Sequence, residues 1–148
     1  MGKLAFAQYF PQLKDEDYEQ TSDQTDKYNC IAWAFKDTNN WWWPTPRYAC
    51  YWPPGFERSN DLGVLVKIAE VHGYRECENG DHEPGYEKIA LFVGNGVEHA
   101  ARQLQSGMWT SKMGECEDIE HKSLAPFEGD DYGKVAKYMR RYRKDWAE

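Results

Sequence analysis

Three residues of this chain are of the types, and at the spacing, that could cleave an amide bond. Cys30 heads the short apolar run C-I-A-W-A-F, where Asp26 or Asn29 can act as N-cap and start a helix with the thiol in its first turn. Unpaired N–H groups and the positive end of the helix dipole favour the thiolate there, and so nucleophilicity. Of the four cysteines, Cys30, Cys50, Cys77 and Cys116, it is the one so placed. A nucleophilic thiol also needs a base within hydrogen-bond reach and a third group to orient that base. His99 opens the segment H-A-A-R-Q-L and can supply the base. Ser111, twelve residues further on and past one tight turn, can approach it from an adjacent strand. His72 and His82 read as structural histidines.

The elements that must position these groups follow from the periodicity. Residues 1–27 read as an N-terminal arm, with an apolar patch at Leu4, Phe6, Tyr9 and Phe10 followed by an acidic, turn-forming run. A second helix is expected over about 61–72, capped by Asn60 or Asp61, with Leu62, Leu65, Val66, Ala69 and His72 near helical spacing and a stop at Gly73. From Tyr74 the pattern alternates: Y-R-E-C, E-K-I-A-L-F-V, V-E-H-A-A-R-Q-L and M-W-T-S-K-M-G are separated by turn-forming stretches, which predicts an antiparallel meander, with a further short strand at Asp118 to His121. The tail sets Tyr132, Val135, Met139, Tyr142 and Trp146 on one stripe, which predicts a closing helix over 131–147. The expectation is one α+β domain over residues 1–148, with its core at 28–121.

At 148 residues the chain has the size of one ordinary domain. Its net charge of −7 repels phosphate backbones and anionic lipid surfaces, which argues against nucleic-acid and membrane partners. Leu, Ile, Val and Phe make up about a sixth of the residues, under the roughly 20% at which disorder is suspected. Seven Trp and ten Tyr replace the missing aliphatic area, because each large ring buries on the order of 150–250 Å². The segment W-W-W-P-T-P-R-Y-A-C-Y-W-P-P-G is too rich in proline for regular structure. Its rings Trp41, Trp42, Trp43 and Trp52 are candidates for a substrate groove beside Cys30 or, more simply, for the core. No run approaches the roughly 18 apolar residues of a membrane span, and the first residues lack the apolar stretch of a signal peptide. Cysteines without a C-x-x-C pair fit free thiols and a cytoplasmic setting, or delivery as an effector without a cleaved signal.

A cysteine on the first turn of a helix, then a meander with histidine on its second strand and a polar residue on its third, resembles the compact papain-like fold of NlpC-type and CHAP-type peptidases and amidases. The phrases Y-N-C-I-A-W-A, E-K-I-A-L-F, H-A-A-R-Q-L and W-T-S-K-M-G are similar to the marks of an uncharacterised bacterial family of small papain-like domains. The resemblance covers roughly residues 28–121. It implies Cys30 as nucleophile and His99 as general base and then acid, acting on a peptide, peptidoglycan or protein substrate without a cofactor. It implies an oxyanion site at the Cys30 backbone N–H with a second donor, for which Asn29 and Tyr28 are candidates. Those families place His, Asn, Gln or an acid at the third position. Here Ser111 stands there with Lys112 beside it, and Asp118 or His121 are the other groups that could orient His99.

Two rival readings come from other classes. Cys77 with His82 and Cys116 with His121 form two pairs at zinc-compatible intervals, though neither carries a tight knuckle signature and the expectation is no metal. A non-catalytic module could instead grip a protein or glycan with its Trp-rich segment, and a bacterial or phage effector role is compatible with either chemistry.

Overall fold

The computed structural model describes residues 5–45 and 49–143. It is mixed α+β and mostly β. Seven strands form one antiparallel sheet: β1 (Tyr18–Gln20), β2 (Arg75–Cys77), β3 (Tyr86–Gly94), β4 (Gly96–Gln103), β5 (Trp109–Lys112), β6 (Asp118–His121) and β7 (Lys134–Tyr142), in the order β1-β6-β5-β4-β3-β7-β2. Two helices, α1 (Cys30–Ala34) and α2 (Leu62–Val71), lie on one face.

Alternation along the central strands builds two cores. Ile89 and Leu91 of β3 with Val97 and Ala100 of β4 meet Ile31, Leu65, Ile68 and Ala69 of the helices. The residues between them, Ala90 and Phe92 of β3 and Ala101 of β4, meet Phe6, Phe10 and Leu13 of the N-terminal arm together with Phe127. The arm is therefore the second covering layer of a sheet buried on both sides. The Gly94 to Gly96 turn closes the β3–β4 hairpin, and the register slips between Phe92 and Val93, so that Phe92 faces His99 while Val93 faces Val97. Glu98 is the extra residue of this bulge, a device that re-aims neighbouring side chains.

Helices α1 and α2 and strands β2 to β6 fall, within a residue or two at their ends, where the periodicity expects them. The closing helix expected over 131–147 does not form, because Lys134–Tyr142 is strand β7, pairing with β3 on one side and β2 on the other; residues 144–148, with Trp146, lie outside the described residues. The reason is tertiary. Ile89, Ala90, Leu91 and Phe92 of β3 are fully buried, and the outer N–H and C=O groups of such a strand must find partners. A register slip between Leu91 and Phe92 breaks the alternation along β7, so that Val135 packs on the arm-face core and Met139 on the helix-face core. Tyr18–Gln20, read as part of the arm, is an edge strand on β6. Leu4 lies outside the described residues. No helix among the described residues is long and apolar enough to cross a membrane.

Candidate functional site

Of the two caps the sequence offers, Asp26 and Asn29, it is Asn29 that starts α1: its side chain accepts from the Ala32 N–H at 3.1 Å. Helix α1 is pinned over the sheet by the Trp33 indole, whose N–H donates to Thr110 at 3.0 Å while the Arg102 guanidinium lies over its ring. This seats the Cys30 sulfur against β4, where the thiol donates weakly to the Glu98 carbonyl at 3.9 Å and the Ala100 N–H points back at the sulfur. The named β4–β5 pairs are Arg102 with Thr110 and Gln103 with Trp109, so the sulfur meets β4 beyond the end of that ladder, on the main chain either side of His99.

The His99 ring projects with Phe92 toward the arm. It lies edge-on to Phe92 and flat on Tyr132, with centroids 4.0 Å apart and planes 3° from parallel. Its Nε2 is 3.1 Å from Ser111 Oγ, which is 2.8 Å from His121 Nε2, and His121 Nδ1 is 3.0 Å from the Ser123 carbonyl. Hydrogen-bond chemistry orders the protons along this row. A carbonyl only accepts, so His121 Nδ1 carries hydrogen and its Nε2 is the acceptor. Ser111 then donates to His121 and accepts from His99 Nε2–H, which leaves His99 Nδ1 as a lone pair. Among the described residues that buried atom has no hydrogen-bond partner, so sulfur and imidazole share a position on β4 without a hydrogen bond between them.

Burial sets the charges. It pushes the Cys30 thiol up to about 11, although N–H groups of Ala100, Ile31 and Cys30 and the charge of Lys112 pull the other way. Burial, reinforced by the neighbouring His121, holds His99 well below the ordinary histidine range. It also takes His121 down to about 4, against the opposing bond to Ser123. At neutral pH the resting site is a thiol and two uncharged imidazoles.

Ser111 and His121 thus both join His99, in series. The other candidates lie elsewhere. Lys112 is buried and donates to the carbonyls of Thr25, Gly114 and Cys116 beside the Tyr28 ring, because the alternation that turns Ser111 to the arm turns Lys112 to α1. Asp118 accepts from the Tyr28 hydroxyl at 2.7 Å and does not orient His99. That bond also removes Tyr28 as an oxyanion donor. The Asn29 side chain is also engaged: its Oδ1 caps Ala32 and takes the Trp42 N–H, and its Nδ2 donates one hydrogen to the Trp42 carbonyl at 2.7 Å. Donors remain at the main-chain N–H groups of Cys30 and Ile31, which point at the sulfur.

Half of the expected Trp groove is core. Trp42 is buried and stacks on Phe35, while Trp52 is buried and donates to the Glu57 carbonyl. Trp41 borders a cleft with Asp26, Cys50 and Glu115, and Trp43 is half-buried. The zinc set does not assemble: both His121 nitrogens are engaged, Cys77 points at the Asn79 carbonyl, and no metal-holding cluster occurs among the described residues.

A family model described as a domain of unknown function, DUF7689, matches residues 19–140. The chain belongs to this family. No curated protein and no solved structure matches it. The DUF7689 segment contains Cys30, His99, Ser111 and His121, whereas Phe6, Phe10 and Leu13 of the covering arm precede it.

Sequence reasoning missed Tyr132 as a site residue, taking it for one position of a helical stripe. Its signal is the turn-rich run E-G-D-D-Y-G, which fits a loop better than a helix. Gly133, at φ +74°, passes so close to the Val93 carbonyl that no Cβ fits, and this approach sets Tyr132 over His99.

Proposed function

We propose that this chain is a cysteine hydrolase of the compact papain-like type, cleaving an amide or isopeptide bond of a peptide, peptidoglycan or protein through an acyl-thioester. The observation that carries the reading is the pairing of a helix-start sulfur held on the main chain at Glu98 and Ala100 with a buried, unpartnered His99 Nδ1. The proton order through Ser111 and His121 gives that nitrogen the lone pair a general base needs.

The route follows from the neutral resting pair. As sulfur attacks the carbonyl carbon, its proton passes to His99 Nδ1, and the carbonyl becomes an oxyanion facing the Cys30 N–H. The tetrahedral species collapses when His99 returns that proton to the departing amine, leaving an acyl-thioester. Water then attacks the thioester, giving one proton to His99 and releasing the acid, and the thiol is restored. Transfer to an amine differs only in the acceptor. The alternative of a binding module built on the Trp-rich segment loses Trp42 and Trp52, which are core residues.

A peptide-like electrophile at pH 7, with the labelled site mapped by mass spectrometry, tests the reading. We expect labelling at Cys30, its loss in Cys30→Ala, and slowing of about a hundredfold or more in His99→Ala, with circular dichroism unchanged in both variants. A small undirected alkylator should react with Cys30 slowly at pH 7 and faster as pH rises toward 11. Undiminished reaction of Cys30 in His99→Ala defeats the proposal.

A further inference from the structure

We infer that the cleft between the N-terminal arm and Tyr132 is a specificity subsite that takes a cationic side chain, lysine being the type case, on the substrate of the hydrolase proposed above. The cleft has a volume of about 300 Å³, with Phe6, Tyr9, Phe10 and Tyr132 as its aromatic walls and Glu98 and Asp131 as its charged groups. Among the described residues no basic side chain lines it, and neither carboxylate enters an ion pair. Ring faces attract a cation and also cover an aliphatic stem, while carboxylates take the charged head. An anionic side chain meets only repulsion there, and a neutral apolar one leaves both carboxylates unused.

Position connects this cleft to the reacting pair. Glu98 is one of its lining residues, and the carbonyl of the same residue receives the Cys30 thiol at 3.9 Å. Tyr132 forms its wall, and the ring of Tyr132 lies 4.0 Å from that of His99. The cleft is therefore one ring away from the imidazole, close enough for a side chain beside the scissile bond but not for the bond itself. Tyr9, which is 60% exposed, leaves its outer end open to a chain passing over the arm.

Binding and chemistry are tested separately. Cys30→Ala protein, which binds without turnover, is titrated calorimetrically with acetyl-Ala-Lys-Ala-amide and with its norleucine and glutamate counterparts. We expect the lysine peptide to bind about tenfold more tightly than the norleucine one, with the glutamate peptide weakest and the gap narrowing at about 0.5 M salt. Glu98→Gln with Asp131→Asn should erase the lysine preference while leaving norleucine binding in place. Equal binding of lysine and norleucine peptides, absence of binding by all three, or a preference that survives the double substitution overturns the subsite. The same lysine sequence carrying an electrophile, offered to the wild-type chain, reads the chemistry. Lysine preference without labelling of Cys30 retires the hydrolase and keeps the subsite, whereas labelling with no preference for lysine retires the subsite alone.

Discussion

Two buried polar groups of side chains lie on opposite faces of the sheet and solve desolvation in opposite ways. On the helix face, Glu87 is wholly buried and is met by Lys36 at 2.8 Å, Arg141 at 2.7 Å and Arg143 at 3.5 Å. Burial alone would raise its carboxyl, but Lys36 and Arg141 overcome it and hold the group below its ordinary value. On the arm face, His99, Ser111 and His121 carry no counter-charge and stay neutral, linked by hydrogen bonds that end on a carbonyl. Charge satisfied by charge makes a lock that serves stability. Neutral groups in series leave one end, His99 Nδ1, without a partner among the described residues, and perturbed groups of this kind cluster at functional sites.

The comparison breaks most visibly at the lock. Glu87→Ala leaves cations facing one another with no anion between them, and we expect a loss of about 3–5 kcal/mol, read as a lower midpoint in urea with the slope unchanged. A loss under about 1 kcal/mol would place Glu87 with surface ion pairs and remove the contrast. Acid separates the two regions next. His121 titrates near its ordinary value of 6.5 when unfolded and at about 4 when folded, so the unfolded chain binds more protons between those values. Stability is whole above about pH 6.5 and falls as pH drops toward 4, by about 3 kcal/mol for this one histidine, with His99 adding to it in the same direction. Glu87, depressed when folded, weakens only at lower pH, as its carboxyl takes up a proton. Urea midpoints across pH should therefore show a first decline that His121→Gln diminishes. If the decline begins only below about pH 4.5, the imidazoles are not held neutral by burial.

What could be read from the sequence was local chemistry. Asn29 ahead of an apolar run marks a cap by its own side chain, and Leu62, Leu65 and Ala69 mark a helix face whatever lies opposite. Ser111 and Asp118 to His121 sit in segments whose alternation is plain. The rest depended on partners. Val135 and Met139 suit a helix or a strand, and only the unpaired edge of buried β3 decides between them. Lys112 and Ser111 are neighbours in sequence but face opposite layers, which strand alternation implies once the strand is granted. That Tyr28 and Asp118 spend their polar groups on each other across ninety residues of chain is invisible to any local pattern. So is the flat approach of Tyr132 to His99.

The finest distinction between lock and row is the direction of a hydrogen bond, and Ser111 holds it. In Ser111→Ala the two Nε2 atoms lose their bridge, at a cost of about 1–3 kcal/mol, while Ser111→Thr keeps the hydroxyl and should restore most of it. Stability alone would fit a merely structural serine, so the tautomers are the sharper measurement. Nitrogen shifts in a histidine-labelled sample at pH 7 should show His121 carrying its proton on Nδ1 and His99 on Nε2. Ser111→Ala should leave His121 so ordered, because the Ser123 carbonyl still accepts from it, while His99 becomes a mixture of both forms. The rate of Cys30 labelling should fall with the lost fraction of lone-pair Nδ1 and recover in Ser111→Thr. A wild-type His99 protonated on Nδ1 would reverse the row: the nitrogen proposed as base would then be a donor, and the hydroxyl between the imidazoles would serve packing alone.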